Sequence, residues 1–72
     1  MDYQEREQLL QGARKVVVGD VILVKGVKYK VAEIISNDIY IIDDKISYYL
    51  EFRDETGRYG YWKSHVDGGR IL

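Results

Sequence analysis

The residues able to do chemistry in this chain are few and crowded. There is one histidine and no cysteine, so a thiolate nucleophile or a thiolate metal site is excluded. Ser64, His65 and Asp67 lie almost side by side. A nucleophile, its base and an orienting carboxylate must meet in a supported cleft, and neighbours on one tight turn do not reach that geometry. His65 therefore reads as part of a helical turn that closes the fold or faces solvent, and no enzymatic activity is expected. Asp43-Asp44 precedes a lysine and lacks the spaced oxygen ligands and defining glycine of a calcium loop, so it reads as a turn. Gly68-Gly69 has no helix after it to make a phosphate site. No metal and no cofactor are expected.

What remains is recognition chemistry. Tyr49, Tyr59 and Tyr61, with Arg53 and Lys63, can present aromatic rings and cations on one surface. Single-stranded nucleic acid is bound by that combination, and Lys28 and Lys30 would extend it. Protein interfaces favour the same residue types. A third arrangement stays open, in which an N-terminal helix covers the face and packs Tyr3, Leu9 and Leu10 on the tyrosines.

These residues can share a surface only if Tyr48–His65 is a β-hairpin. Asp54-Glu55-Thr56-Gly57 carries aspartate first and glycine fourth, the signature of a type I turn. Gly57 in the left-handed region then makes the bulge of a three-residue hairpin loop. Arg53 faces Tyr59 in that register, Phe52 faces Gly60, Glu51 faces Tyr61 and Leu50 faces Trp62. Tyr48, Leu50, Phe52 and Trp62 form an apolar face, with Gly60 making room for the Phe52 ring. Tyr49, Glu51, Arg53, Tyr59, Tyr61 and Lys63 form the other. A slip of one residue would exchange the faces.

Seventy-two residues make one domain, residues 1–72, with a thin core. Such a chain relies on paired sheet, aromatic burial or oligomerisation. Proline is absent, which permits long strands, and tyrosine is used seven times. The net charge of −1 lacks the basic excess typical of a nucleic-acid binder. No apolar run is long enough to span a bilayer, and the polar, acidic N-terminus does not resemble a signal peptide. A soluble protein of the cytoplasm is expected, away from membranes.

Along the chain, Asp2–Gln11 reads as a short helix, capped by Asp2 with Glu5 in capping-box position and stopped at Gly12. Val16–Val24 reads as a strand region broken at Gly19-Asp20. Lys25-Gly26 is a turn, and Val27–Ile35 a second strand whose alternation fails at Ala32–Ile35, the mark of a bulge or barrel corner. Ser36-Asn37-Asp38 reads as a turn and Ile39–Ile42 as a short strand, apolar on both sides. At a sheet edge that strand would invite pairing with another chain, so a homo-oligomer stands as an open alternative to a monomer. Asp43–Lys45 is a further turn. After Trp62, Lys63–Val66 reads as one 3₁₀ turn and Arg70–Leu72 as a last strand.

Strand, turn, strand, long hairpin, helical turn and short strand is the order of an SH3-like barrel. Gly19–Val31 resembles the opening two strands of such barrels, the KOW and Tudor-like types included. Tyr49–His65, with Asp54-Glu55-Thr56-Gly57 and Tyr61-Trp62-Lys63-Ser64-His65, resembles the closing hairpin of small SH3-like proteins encoded by phages and prophages of Gram-positive bacteria. The helix at residues 1–12 and the insertion Ile39–Ser47, an extra hairpin arm, depart from the simplest pattern. The resemblance implies an SH3-like antiparallel barrel of five or six strands over residues 16–72 and an accessory binding module without chemistry.

The expected function is thus a non-enzymatic interaction module, phage or mobile-element encoded, that binds a protein partner and inhibits or redirects a host protein. Its contacts would come from Tyr49, Arg53, Tyr59, Tyr61 and Lys63. The alternatives are a nucleic-acid-binding barrel adding Lys28 and Lys30, and a structural subunit of a larger assembly.

Overall fold

A computed structural model of the chain describes residues 2–72. The molecule is mainly β, with a helix α1 (Tyr3–Gly12), strands β1 (Val21–Val24), β2 (Val27–Ile42), β3 (Lys45–Asp54) and β4 (Tyr59–Lys63), a one-turn helix α2 (Ser64–Asp67) and a short β5 (Arg70–Ile71). The five strands form one antiparallel sheet in the order β4-β3-β2-β1-β5, so β4 and β5 are its two edges and the sheet is not closed.

Each hairpin follows from its turn chemistry. Lys25 and Gly26 both have positive φ (50° and 79°), as do Asp43 and Asp44 (52° and 61°). That is the mirror-image two-residue turn, whose twist matches the strands it joins. The third turn is the expected one. Gly57 has φ 83° and donates from its N–H to the Asp54 carbonyl at 3.0 Å, while Asp54 N–H donates to the Arg58 carbonyl at 3.0 Å. Asp54 Oδ1 also accepts from Thr56 Oγ1, Thr56 N and Arg58 N. These bonds, the Thr56 hydroxyl first, hold the Asp54 carboxyl below its ordinary range.

Three expectations along the chain are corrected. Ser36-Asn37-Asp38 is no turn. All three residues pair with β3, and β2 runs unbroken from Val27 to Ile42 through register shifts at Val31/Glu33 and Ile34/Ser36. Those shifts lie where the alternation fails, and they let one strand pair first with β1 and then with β3. Ser-Asn-Asp is turn chemistry in isolation, but a ladder of partners on β3 outweighs local preference.

The second correction concerns Val16–Val24, where only Val21–Val24 is strand. Asp20 is buried to 9% exposure and breaks the run. Its carboxylate accepts from Val17 N (2.8 Å) and from Arg14 Nη2 (2.5 Å). The bond from Val17 outweighs desolvation, and with Arg14 it keeps the Asp20 carboxyl below its ordinary range. The turn beyond β4 is an α-helical turn where a 3₁₀ turn was expected.

The core is Val16, Ile22, Val31, Leu50, Phe52 and Trp62. Leu50 and Trp62 pair across the hairpin, Tyr48 stacks on Trp62 at 5.4 Å, and the Trp62 indole N–H donates to the Gly68 carbonyl at 2.7 Å. Gly60 has no room for a side chain, since a Cβ there would stand 2.5 Å from Phe52 Cζ. The apolar face is thus the one expected from the hairpin register.

Candidate functional site

The site is the outer face of β2–β3–β4. Tyr49 pairs with Lys63, Glu51 with Tyr61 and Arg53 with Tyr59. Side chains alternate along a strand, so with Leu50, Phe52 and Trp62 in the core these six residues point outward together. On the β2 side, Glu33 pairs with Arg53, Asp38 with Tyr49 and Tyr40 with Ser47. The same alternation brings Tyr40 to this face.

The face is tied together internally. Tyr49 and Tyr61 meet edge to face at 5.3 Å, and Lys63 Nζ lies 5.6 Å and 5.5 Å from their ring centroids, a cation–π arrangement. Tyr59 donates from its hydroxyl to Glu51 Oε2 at 2.6 Å, and Tyr49 donates to Glu51 Oε1 at 3.1 Å. One carboxylate thereby accepts from two phenols. The Tyr59 phenol is pushed up chiefly by Glu51, and that of Tyr49 by the neighbouring Tyr61 phenol first and Glu51 second. Tyr61 in turn raises the Lys63 ammonium. Arg53 lies 3.6 Å from Glu33 and donates to the Gly57 carbonyl at 3.1 Å.

Two of the three rings are open to solvent, and Tyr49 is partly buried. Tyr59 is 55% and Tyr61 45% exposed. The arrangement in which the N-terminal helix covers them does not form: α1 buries none of its residues, and Tyr3 is 75% exposed. Asp2 does cap α1 as expected, accepting from Glu5 N at 2.8 Å.

Lys28 and Lys30 are not brought into this cluster. They lie on the part of β2 paired with β1, before both register shifts. Lys30 is level with Glu55, whose N–H donates to its carbonyl, whereas Lys63 is level with Tyr49. Six residues of extended chain, about 20 Å, separate those levels, and the carboxylates of Glu33 and Glu51 fall between. The face carries mixed charge, with no basic stripe.

Around α2 the polar groups are spent on structure. Ser64 Oγ accepts from Tyr48 N at 2.7 Å, and Asp67 Oδ2 accepts from Lys63 N at 3.1 Å. His65 Nδ1 lies 3.0 Å from Ser47 Oγ, and Ser47 is 3% exposed. Among the described residues, the serine bonded to the histidine is buried, and the nearby aspartate serves a backbone N–H.

Sequence reasoning missed Tyr40 and the joining role of Glu51. Tyr40 was hidden by reading Ser36–Asp38 as a turn, since carrying the alternation through those residues places it beside Asp38. For Glu51 the signal was its position between Tyr49 and Arg53, opposite Tyr61. No protein-family model, curated protein or solved structure matches this chain.

Proposed function

We propose that this chain is a non-enzymatic interaction module, an SH3-like barrel whose outer tyrosine face binds a protein partner. The observation that carries this reading is the row Tyr49, Tyr59 and Tyr61, with Tyr59 and Tyr61 about half-open to solvent and Tyr49 partly buried beside them, all held in place by Glu51 and Lys63. Rings already fixed in position lose little freedom on binding, and Tyr and Arg are the usual anchors of protein interfaces. Support for the barrel comes from strand order, with β2 bending at its bulges to serve both halves of the sheet.

A protein partner fits the mixed charge of the face better than nucleic acid does. Phosphate contacts supply most nucleic-acid affinity, and here the cations stand apart with Glu51 at the centre. Inhibition or redirection of a host protein by a phage-encoded module rests on the resemblance of the closing hairpin alone.

The test is partner capture from lysate of the encoding organism, comparing the native chain with a Tyr59→Ala/Tyr61→Ala variant. Both residues lie outside the core, so the variant keeps its fold by circular dichroism and loses the partner. A folded variant that retains every partner overturns the reading. Capture that collapses between about 50 and 200 mM salt would point to nucleic acid instead.

A further inference from the structure

The edge of β4 carries a ladder of backbone groups matched to itself. Asp54:Arg58 is a hydrogen-bonded pair of the hairpin, and bonded and non-bonded pairs alternate in an antiparallel ladder. Phe52:Gly60 and Leu50:Trp62 are then bonded pairs, while Tyr59, Tyr61 and Lys63 aim their N–H and C=O groups away from β3. Lys63 shows this directly, since its N–H goes to Asp67 Oδ2. β4 has no strand on that side. The free groups are therefore those of Tyr59 and Tyr61, with the Asp67 cap closing the row at Lys63.

We propose that two copies of this chain pair antiparallel through β4 about a two-fold axis at Gly60. Tyr59 of each copy then meets Tyr61 of the other as a bonded pair, and all the free groups of the two tyrosines are used. Glycine meets glycine on the axis, so neither chain brings a Cβ against the other there, and each chain's own Phe52 ring fills the inner side at Gly60. The charges also match. The same register sets Arg58 of one copy opposite Trp62 of the other. Trp62 and Asp67 line a groove along this edge with Val24, Lys25 and Tyr29. Within one copy Asp67 Oδ2 accepts from Lys63 N and Oδ1 has, among the described residues, a long 4.0 Å ion-pair contact to Lys25, while Arg58 makes no ion pair among the described residues, so the guanidinium of one chain meets the carboxylate of the other. On the outer side Lys63 stands against the partner's Asp54–Gly57 turn, which carries Glu55. Two-fold symmetry makes each contact twice. The pairing does not depend on the partner-binding reading of the outer face, but it would join two tyrosine rows into one surface.

The test is sedimentation equilibrium of the native chain beside Tyr61→Pro and Arg58→Glu. Proline at Tyr61 removes an N–H that the monomer leaves unused, and an edge strand tolerates it. The native chain sediments as a dimer, and each variant dissociates at least about tenfold more readily. A native chain that stays monomeric to about 1 mM overturns the proposal, as does a dimer indifferent to both changes. A second measurement stands should Tyr61→Pro fail to fold. Tyr59→Cys and Tyr61→Cys chains, mixed and oxidised, give predominantly the mixed disulfide, because Cα atoms in a bonded pair lie about 5.5 Å apart. Equal yields of like and mixed crosslinks overturn the register.

Discussion

Glu51 shows how a single carboxylate organises a surface. It accepts from two phenols on neighbouring strands, and each bond favours the protonated tyrosine. For Tyr59, whose ordinary value is 10.0, the folded pKa is raised. A group raised on folding adds stability that is complete below its unfolded pKa and fades as pH climbs through the folded value. That fading belongs above pH 10 for these rings. Ultraviolet titration of the native chain should show tyrosines ionising later than the ordinary phenol. Glu51→Gln should move that fraction down toward pH 10 and increase ring mobility on the face. An unchanged titration curve would mean that the carboxylate does not hold the phenols. Glu51 was readable in the sequence as a face residue through the hairpin register. Its bonds were not, because they depend on which rotamers two tyrosines adopt across a strand.

At the scale of elements, turns set the register and one of them is poorly suited to its place. Asp43 and Asp44 both adopt positive φ, which costs a side-chain-bearing residue energy that Asn-Gly largely avoids. Replacing Asp43-Asp44 with Asn-Gly should raise the unfolding free energy by about 0.5–1 kcal/mol, measured by urea denaturation. A loss of stability would show that the aspartates make contacts worth more than the strain. The turn at Asp54–Gly57 was legible because its residue order matches the type I signature. The run Ser36–Asp38 was not, since the same residue types form turns when alone and ladders when β3 lies alongside.

For the whole molecule, α1 is the least committed part. It buries no residue, while the core lies entirely between Val16 and Trp62. Removing residues 1–12 should change the unfolding free energy by less than about 1 kcal/mol, as for a surface segment, provided Arg14 stays to hold Asp20. A chain that unfolds on this truncation would assign α1 a structural role. No helix among the described residues is long and apolar enough to cross a membrane. The small core and the open β4 edge place the weight of stability on the paired sheet.

The sequence by itself determined what is local. Turn residues at fixed offsets, period-two alternation and a capping aspartate settled the central hairpin, the inward indole and the start of α1, because each depends on neighbours within a few positions; the helix runs on through Gly12, the expected stop, to a cap at Ala13. Tertiary structure decided what depends on distant partners. The unbroken course of β2, the buried Asp20 that halts the first strand, the exposure of Tyr59 and Tyr61 and the separation of Lys28 and Lys30 from Lys63 all arise from packing between segments far apart in the chain. No spacing rule along one strand encodes those distances.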